Sequence, residues 1–187
     1  MFKELKQVSI LKPVFLCSNL CLNLQLISLM KMEPKKRLII MGIGNFLMGD
    51  ESVGVHAVQQ FDGMDLPEGV ETLDGGTGAF YLMSYFETYP KVIIMDATMD
   101  GQEPGSIKLI KPKFARDFPK ALSTHDVGLK DLLESLEILG KLPEIYLFTI
   151  TIKKIDYMKL GLTPEVEAAL PLVKQKVIDL MNELLKE

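Results

Sequence analysis

Histidine and cysteine are scarce in this chain of 187 residues, which has only two of each. Two cysteines cannot build a disulfide framework, and no Cys/His cluster has the spacing of a structural zinc site. Basic charge is also lacking. With 21 Lys+Arg against 25 Asp+Glu the net charge is −4, which gives no electrostatic case for nucleic acid, whose binding calls for a basic stripe. No apolar run is long enough to span a bilayer. The stretch from Val14 to Met30 is broken by Ser18, Asn19, Asn23, Gln25 and Ser28, and a spanning helix needs roughly 20 mostly apolar residues. No small-residue cleavage site follows Met30, as a signal peptide would require. Repeats and low-complexity tracts are missing too. What is present is globular composition, 48% hydrophobic and 25% charged, which argues against disorder. The expectation is a cytoplasmic domain with no nucleic-acid partner and no stable membrane insertion.

The character of the sequence changes near Met32, where Glu-Pro-Lys-Lys-Arg leads into a clean strand. Residues 1–34 are read as an extension outside the domain, with Met32 a plausible start, and residues 35–187 as one domain. Cys17 and Cys21 sit one helical turn apart in that extension without a second pair or a histidine, so they carry no assigned role.

From Arg37 onward strand and helix signals alternate. Short apolar runs at 37–43, 70–73, 91–95, 106–110 and 144–152 read as strands. Helical spacing appears over 51–61, 79–86 and 127–139. The last helical region opens with Thr163 as N-cap and Pro164 at the first position, and Pro171 is expected to split it. Alternation of this kind implies an α/β fold, a three-layer α/β/α sandwich with a mostly parallel central sheet.

Sites in open α/β sheets form beyond the carboxyl ends of the strands. Asn45, Asp50 and Glu51 follow the first strand, Asp74 the second, Asp96 the central one, and His125 precedes the third helix. A dinucleotide site is the competing idea, because Gly42-Ile43-Gly44 follows a strand and Asp74 sits where a ribose-binding acid would. Leu47 occupies the place of the third glycine, and Asp50 and Glu51 would repel a pyrophosphate, so no nucleotide is expected. Asp50 can be read simply as an acid favoured by a helix N-terminus, and His125 as an exposed cap residue. His56, on the first helix, reads as a surface residue. Asp96 resists a bland reading, since a charge ending a buried strand must be paired, hydrated or coordinated. Glu51, Asp96 and His125 together make a reasonable ligand set for a borderline divalent ion with positions left open. No Gly-x-Ser-x-Gly elbow is present, and neither cysteine is near these residues.

The run Gly42-Ile-Gly-Asn45-Phe-Leu-Met-Gly-Asp50-Glu51-Ser-Val-Gly54 resembles the first motif of the nickel–iron hydrogenase maturation endopeptidases. Asp74-Gly75-Gly76-Thr77, Asp96-Ala97, Pro104-Gly105, Ser123-Thr124-His125 and Gly161-Leu-Thr-Pro-Glu165 follow in that family's order, over about 37–185. The resemblance implies an endopeptidase, classed with aspartyl-type peptidases, that removes the C-terminal extension of a nickel-loaded [NiFe] hydrogenase large-subunit precursor. It implies metal contact through Glu51, Asp96 and His125, with Asp96 and Glu51 catalytic and the nickel supplied by the substrate. Asn45, Asp74, Gly75 and Gly76 would shape the substrate crevice. A non-catalytic nickel-sensing chaperone on the same fold is the alternative. One departure is the segment Thr149–Lys159, TITIKKIDYMK, which has two adjacent lysines where the family often has a proline and an acid. It bears on which hydrogenase is the substrate.

Overall fold

In the computed structural model the described residues are 35–78, 80–119 and 126–186. Cys17, Cys21, the extension 1–34 and His125 lie outside them. Lys36–Glu187 forms one compact unit, and every element below belongs to it.

Five strands make one sheet: β1 Leu38–Ile43, β2 Val70–Gly76, β3 Lys91–Thr98, β4 Ile107–Ile110 and β5 Glu144–Thr151, in the order β2-β1-β3-β5-β4. The β1/β2, β1/β3 and β3/β5 pairs are parallel, while β4 returns antiparallel along the edge of β5. The helices are α1 Val53–Gln59, α2 Met83–Thr88, α3 Asp126–Ile138, α4 Pro164–Glu167 and α5 Leu170–Leu184. The α/β/α expectation is met.

The inner strands β1, β3 and β5 are buried on both faces, as strands sandwiched between helices must be, while the edge strands β2 and β4 are partly exposed. Successive side chains in a strand point to opposite faces, and the core divides accordingly. Leu38, Ile40, Ile93, Met95, Ala97, Tyr146, Phe148 and Ile150 pack with α1 and α5 through Val58, Val173, Val177 and Leu180. Ile39, Met41, Ile43, Val92, Ile94, Ile145 and Leu147 pack with α2 and α3 through Phe86, Leu129, Leu132, Leu133 and Leu136.

Three local expectations are corrected. The central strand continues through Thr98, so Asp96 lies within β3 and not after it. Its parallel register with β5 runs unbroken from Lys91↔Glu144 to Thr98↔Thr151, which holds these last residues in the sheet. The helical stretch from Glu51 opens with a tight 3-10 turn, Gly49–Ser52, before α1 begins. At the C-terminus the break falls at Ala168–Ala169, and Pro171 stands in the first turn of α5, where its missing N–H costs no helical bond.

Candidate active site

Close backbone approach sets the position of the first acidic residues. A Cβ on Gly54 would stand 2.2 Å from both the Ile43 and Met95 carbonyl oxygens, and one on Gly42 would stand 2.1 Å from the Gly54 carbonyl. Only glycine lets the start of α1 lie on the ends of β1 and β3 at this spacing. The turn Gly49–Ser52 therefore packs against β3. Glu51 is 0% exposed, and its Oε2 accepts the Asn45 backbone N–H at 2.5 Å. Asn45 itself is half-buried, and its Oδ1 accepts the Leu47 N–H at 2.9 Å, closing the loop on itself.

Asp96 is also 0% exposed, and its Oδ1 accepts the N–H of Ala97 at 2.7 Å. Alternation along β3 puts it on the α2/α3 face, in line with Val92 and Ile94. Thr98, Thr149 and Thr151 are buried on the same face, and β5 sets Thr149 opposite Asp96 and Thr151 opposite Thr98. These buried hydroxyls make the carboxyl end of an otherwise apolar sheet face polar. The sequence reading passed over them because isolated threonines are ordinary strand residues.

The fold thus gathers Glu51, Asn45 and Asp96 at one end of the sheet. His125 immediately precedes Asp126, the first residue of α3, but itself lies outside the described residues. Among the described residues no three His, Cys, Asp or Glu side chains converge as a metal-holding group.

Asp74, Gly75 and Gly76 are the last residues of β2, one strand beyond β1 from Asp96. The register jumps there from Gly42↔Asp74 to Ile43↔Gly76, so Gly75 is the extra residue of a β-bulge. Gly76 has φ +53°, and Asp74 Oδ1 accepts its N–H at 2.9 Å. The Asp-Gly-Gly element therefore turns the backbone at the rim of the sheet, with the Asp74 side chain exposed. The Tyr81 hydroxyl donates to the Gly75 carbonyl at 2.5 Å. Burial raises its phenol above the ordinary tyrosine value, and the nearby Asp74 charge adds to that.

Two sequence readings change. Asp50 is not a simple helix-start acid: its Oδ1 accepts the Thr163 backbone N–H at 2.6 Å and its Oδ2 accepts the Thr163 hydroxyl at 2.9 Å. No motif spacing joins two residues so far apart in the chain, so this pair was invisible in the sequence. His56 is half-buried. Its Nδ1 donates to the Ser52 carbonyl at 3.0 Å, the only direction a carbonyl permits, and Phe46 packs on its ring at 4.8 Å.

No helix of the described residues is long and apolar enough to cross a membrane. The family model for hydrogenase maturation proteases, HycI, matches residues 55–180. The chain is 36% identical over 137 residues to the hydrogenase expression/formation protein HupD of Bradyrhizobium diazoefficiens, covering 70% of each. It is 31% identical to the hydrogenase 2 maturation protease of Escherichia coli, over 79% of this chain and 92% of that one. Among solved structures, the hydrogenase maturating endopeptidase HybD of Escherichia coli superposes with a TM-score of 0.72 at 30% identity, over 79% and 93% of the two chains. The HybD maturation protease of Thermococcus kodakarensis gives 0.63 at 27% identity, over 77% and 98%. A matched family model over residues 55–180 and this shared fold place the chain in the hydrogenase maturation protease family.

Proposed function

We propose that this protein is a cytoplasmic endopeptidase that removes the C-terminal extension of a nickel-loaded [NiFe] hydrogenase large-subunit precursor. The observation that carries the reading is a pair of wholly buried carboxylates, Glu51 and Asp96, at the carboxyl end of the sheet in a chain of this family. Two carboxylates at one end of the sheet, completed by one imidazole, make an oxygen-and-nitrogen donor set that suits nickel arriving with the substrate.

Glu51, Asp96 and His125 would contact the nickel while it remains part of the precursor. When bound, the nickel supplies the signal that loading is complete. Asp96 takes the proton of the attacking water, and its Ala97 N–H bond fixes the carboxylate's orientation for that transfer. Glu51 is held by the Asn45 N–H against the end of β1, which aims its carboxylate at the same end of the sheet. Asn45 and the bulge at Asp74-Gly75-Gly76 would line the crevice along which the extension lies. The Lys153-Lys154 pair, exposed beyond β5, stands where it could select among precursors.

The test is to incubate the protein with nickel-loaded and nickel-free precursor and measure the precursor's mass. Loss of the extension from the loaded form alone is expected. Asp96→Asn and His125→Ala should keep the wild-type melting temperature and abolish that loss. Normal cleavage by both variants would remove the metal-contact assignment, and metal binding without any cleavage by the wild type would instead make the protein a nickel-sensing chaperone.

A further inference from the structure

We infer that Asp50 and Thr163 are a positioning pair that holds Glu51 in place from behind; the inference rests on the reading that Glu51 serves the active site. Asp50 is 5% exposed and next to Glu51 in the turn Gly49–Ser52, yet it faces the other way. Both of its oxygens are engaged by a single residue, through the Thr163 N–H at 2.6 Å and the Thr163 Oγ1 at 2.9 Å. Hydrogen bonds to a carboxylate are stronger than neutral ones, and two on one residue fix direction as well as distance.

Thr163 does this instead of its expected task. It occupies the N-cap of α4 with extended backbone, but its side chain makes no cap bond to that helix. The hydroxyl a threonine N-cap normally turns toward the helix is turned toward Asp50. The anchor beneath it is firm. Val166, in α4, is fully buried in the core it shares with α1 and α5, and Gly105 lies so close beneath α4 that a Cβ there would stand 2.7 Å from the Glu165 carbonyl.

A second fastening lies alongside. Gly49 N–H donates to the Lys159 carbonyl at 2.9 Å, and Lys159 N–H donates to the Leu47 carbonyl at 3.2 Å, pairing Met48 with Lys159 as a one-step parallel bridge. The loop 47–50 is thus stitched to 159–163 by backbone and side chain together. Its inner edge carries Glu51, whose Oε2 is tied to the Asn45 N–H. An active-site carboxylate must be held to within a fraction of an ångström, and supporting contacts of this sort supply the constraint.

Three variants test the pair. Thr163→Val keeps shape and the backbone N–H but removes the hydroxyl, Thr163→Ser restores the hydroxyl, and Asp50→Ala removes both bonds. The direct reporter is hydrogen exchange at the Asn45 amide, which Glu51 protects. In Asp50→Ala this amide should exchange at least tenfold faster, and in Thr163→Val faster by a smaller factor, with the amides of β3 unchanged. Thr163→Ser should match the wild type. In cleavage of nickel-loaded precursor, kcat should fall at least tenfold in Asp50→Ala while KM stays within twofold. Should Asp50→Ala fold poorly, Thr163→Val against Thr163→Ser carries the same comparison. Unchanged Asn45 protection in both Asp50→Ala and Thr163→Val overturns the inference, whatever the activity. Lost protection in a protein whose wild type does not cleave the precursor supports the positioning pair and refutes the proposed function instead.

Discussion

Replacing Gly54 by alanine probes the contact on which the site is built. The added Cβ would lie 2.2 Å from two carbonyl oxygens, Ile43 O at the end of β1 and Met95 O in β3. Carbon and carbonyl oxygen ordinarily come no closer than about 3.3 Å, so roughly 1 Å must be found. Neither oxygen is the tip of a flexible side chain. The two strands are neighbours in a parallel ladder, with Gly42 registered on Met95, so they cannot part without losing sheet bonds. The remaining route is to lift α1, which would uncover Val53, Val55, Ala57 and Val58, all buried. Overpacking of this kind costs typically 1–3 kcal/mol, and a double backbone clash belongs at the upper end. Alanine returns about 1 kcal/mol in helix propensity. The net expectation is a loss of about 2 kcal/mol, near thirtyfold in the folding equilibrium. Urea denaturation should show a lower midpoint with an unchanged slope. Gly63→Ala is the control, because its φ is +73° but a Cβ there would meet nothing within 4 Å. It should lose only the ~1 kcal/mol that left-handed backbone costs an L-residue. Gly42→Ala opens the same gap, so the double variant Gly42→Ala/Gly54→Ala should lose less than the sum. A Gly54→Ala protein as stable as the wild type would refute the claim that this helix is seated on the sheet by glycine alone.

Two further outcomes concern the surface. Met158 is 83% exposed and holds φ +56°, so glycine there should relieve about 1–2 kcal/mol of conformational strain against ~0.5–1 kcal/mol of added chain entropy; Met158→Gly should melt about 1–2 °C higher, and a lower melting point would show that the side chain packs usefully. The Asp100 carboxylate is held below its ordinary value chiefly by the Lys108 ammonium, with help from the Thr151 hydroxyl and the Gln102 N–H. A depressed carboxylate contributes stability that is present above the unfolded-state value of about 3.9 and lost as pH falls through the folded-state value. Lys108→Gln should therefore be less stable than the wild type at pH 6, with the gap closing as urea midpoints are followed below about pH 4; a gap independent of pH would contradict the pairing.

The sheet was readable because its inner strands are unusually pure. The run at 92–95 has no polar interruption, and α5 repeats Val173, Val177, Leu180 and Leu184 at helical spacing. Asp96 was legible because a charge directly after an apolar run announces itself, whereas Glu51 stood out only in company with Asp96 and His125 and through the family resemblance. The antiparallel return of β4 was not legible: four residues carry no sign of strand direction, and the turn around Pro104-Gly105 suits either course. The Asp50–Thr163 pair was hidden for a related reason. Asp beside a helix start and Thr before Pro-Glu each have complete local explanations, a dipole and a cap. Sequence reasoning assigns such residues to the nearest backbone, and only the fold shows that both turn away from it to meet each other.

Alternation then decides which face of the sheet Asp96 occupies. The odd-numbered residues 93, 95 and 97 of β3 serve the α1/α5 core, so the even-numbered Asp96 must face α2 and α3. Shifting β3 by one residue would bury the carboxylate against α1 and turn Ala97 toward α2 and α3. The register with β1 and β5, continuous through this stretch, forbids that shift. Glu51 comes from a different direction, over the end of β1, and reaches the same end of the sheet only because Gly42 and Gly54 let the turn settle onto it. The position of one acid is thus set by strand parity and that of the other by missing side chains. A change at Gly54 should therefore disturb Glu51 and leave Asp96 in place. Hydrogen exchange in Gly54→Ala offers the comparison: faster exchange at the Asn45 amide with the Ala97 amide still protected is expected, and equal loss at both would mean that the two carboxylates are held by one device.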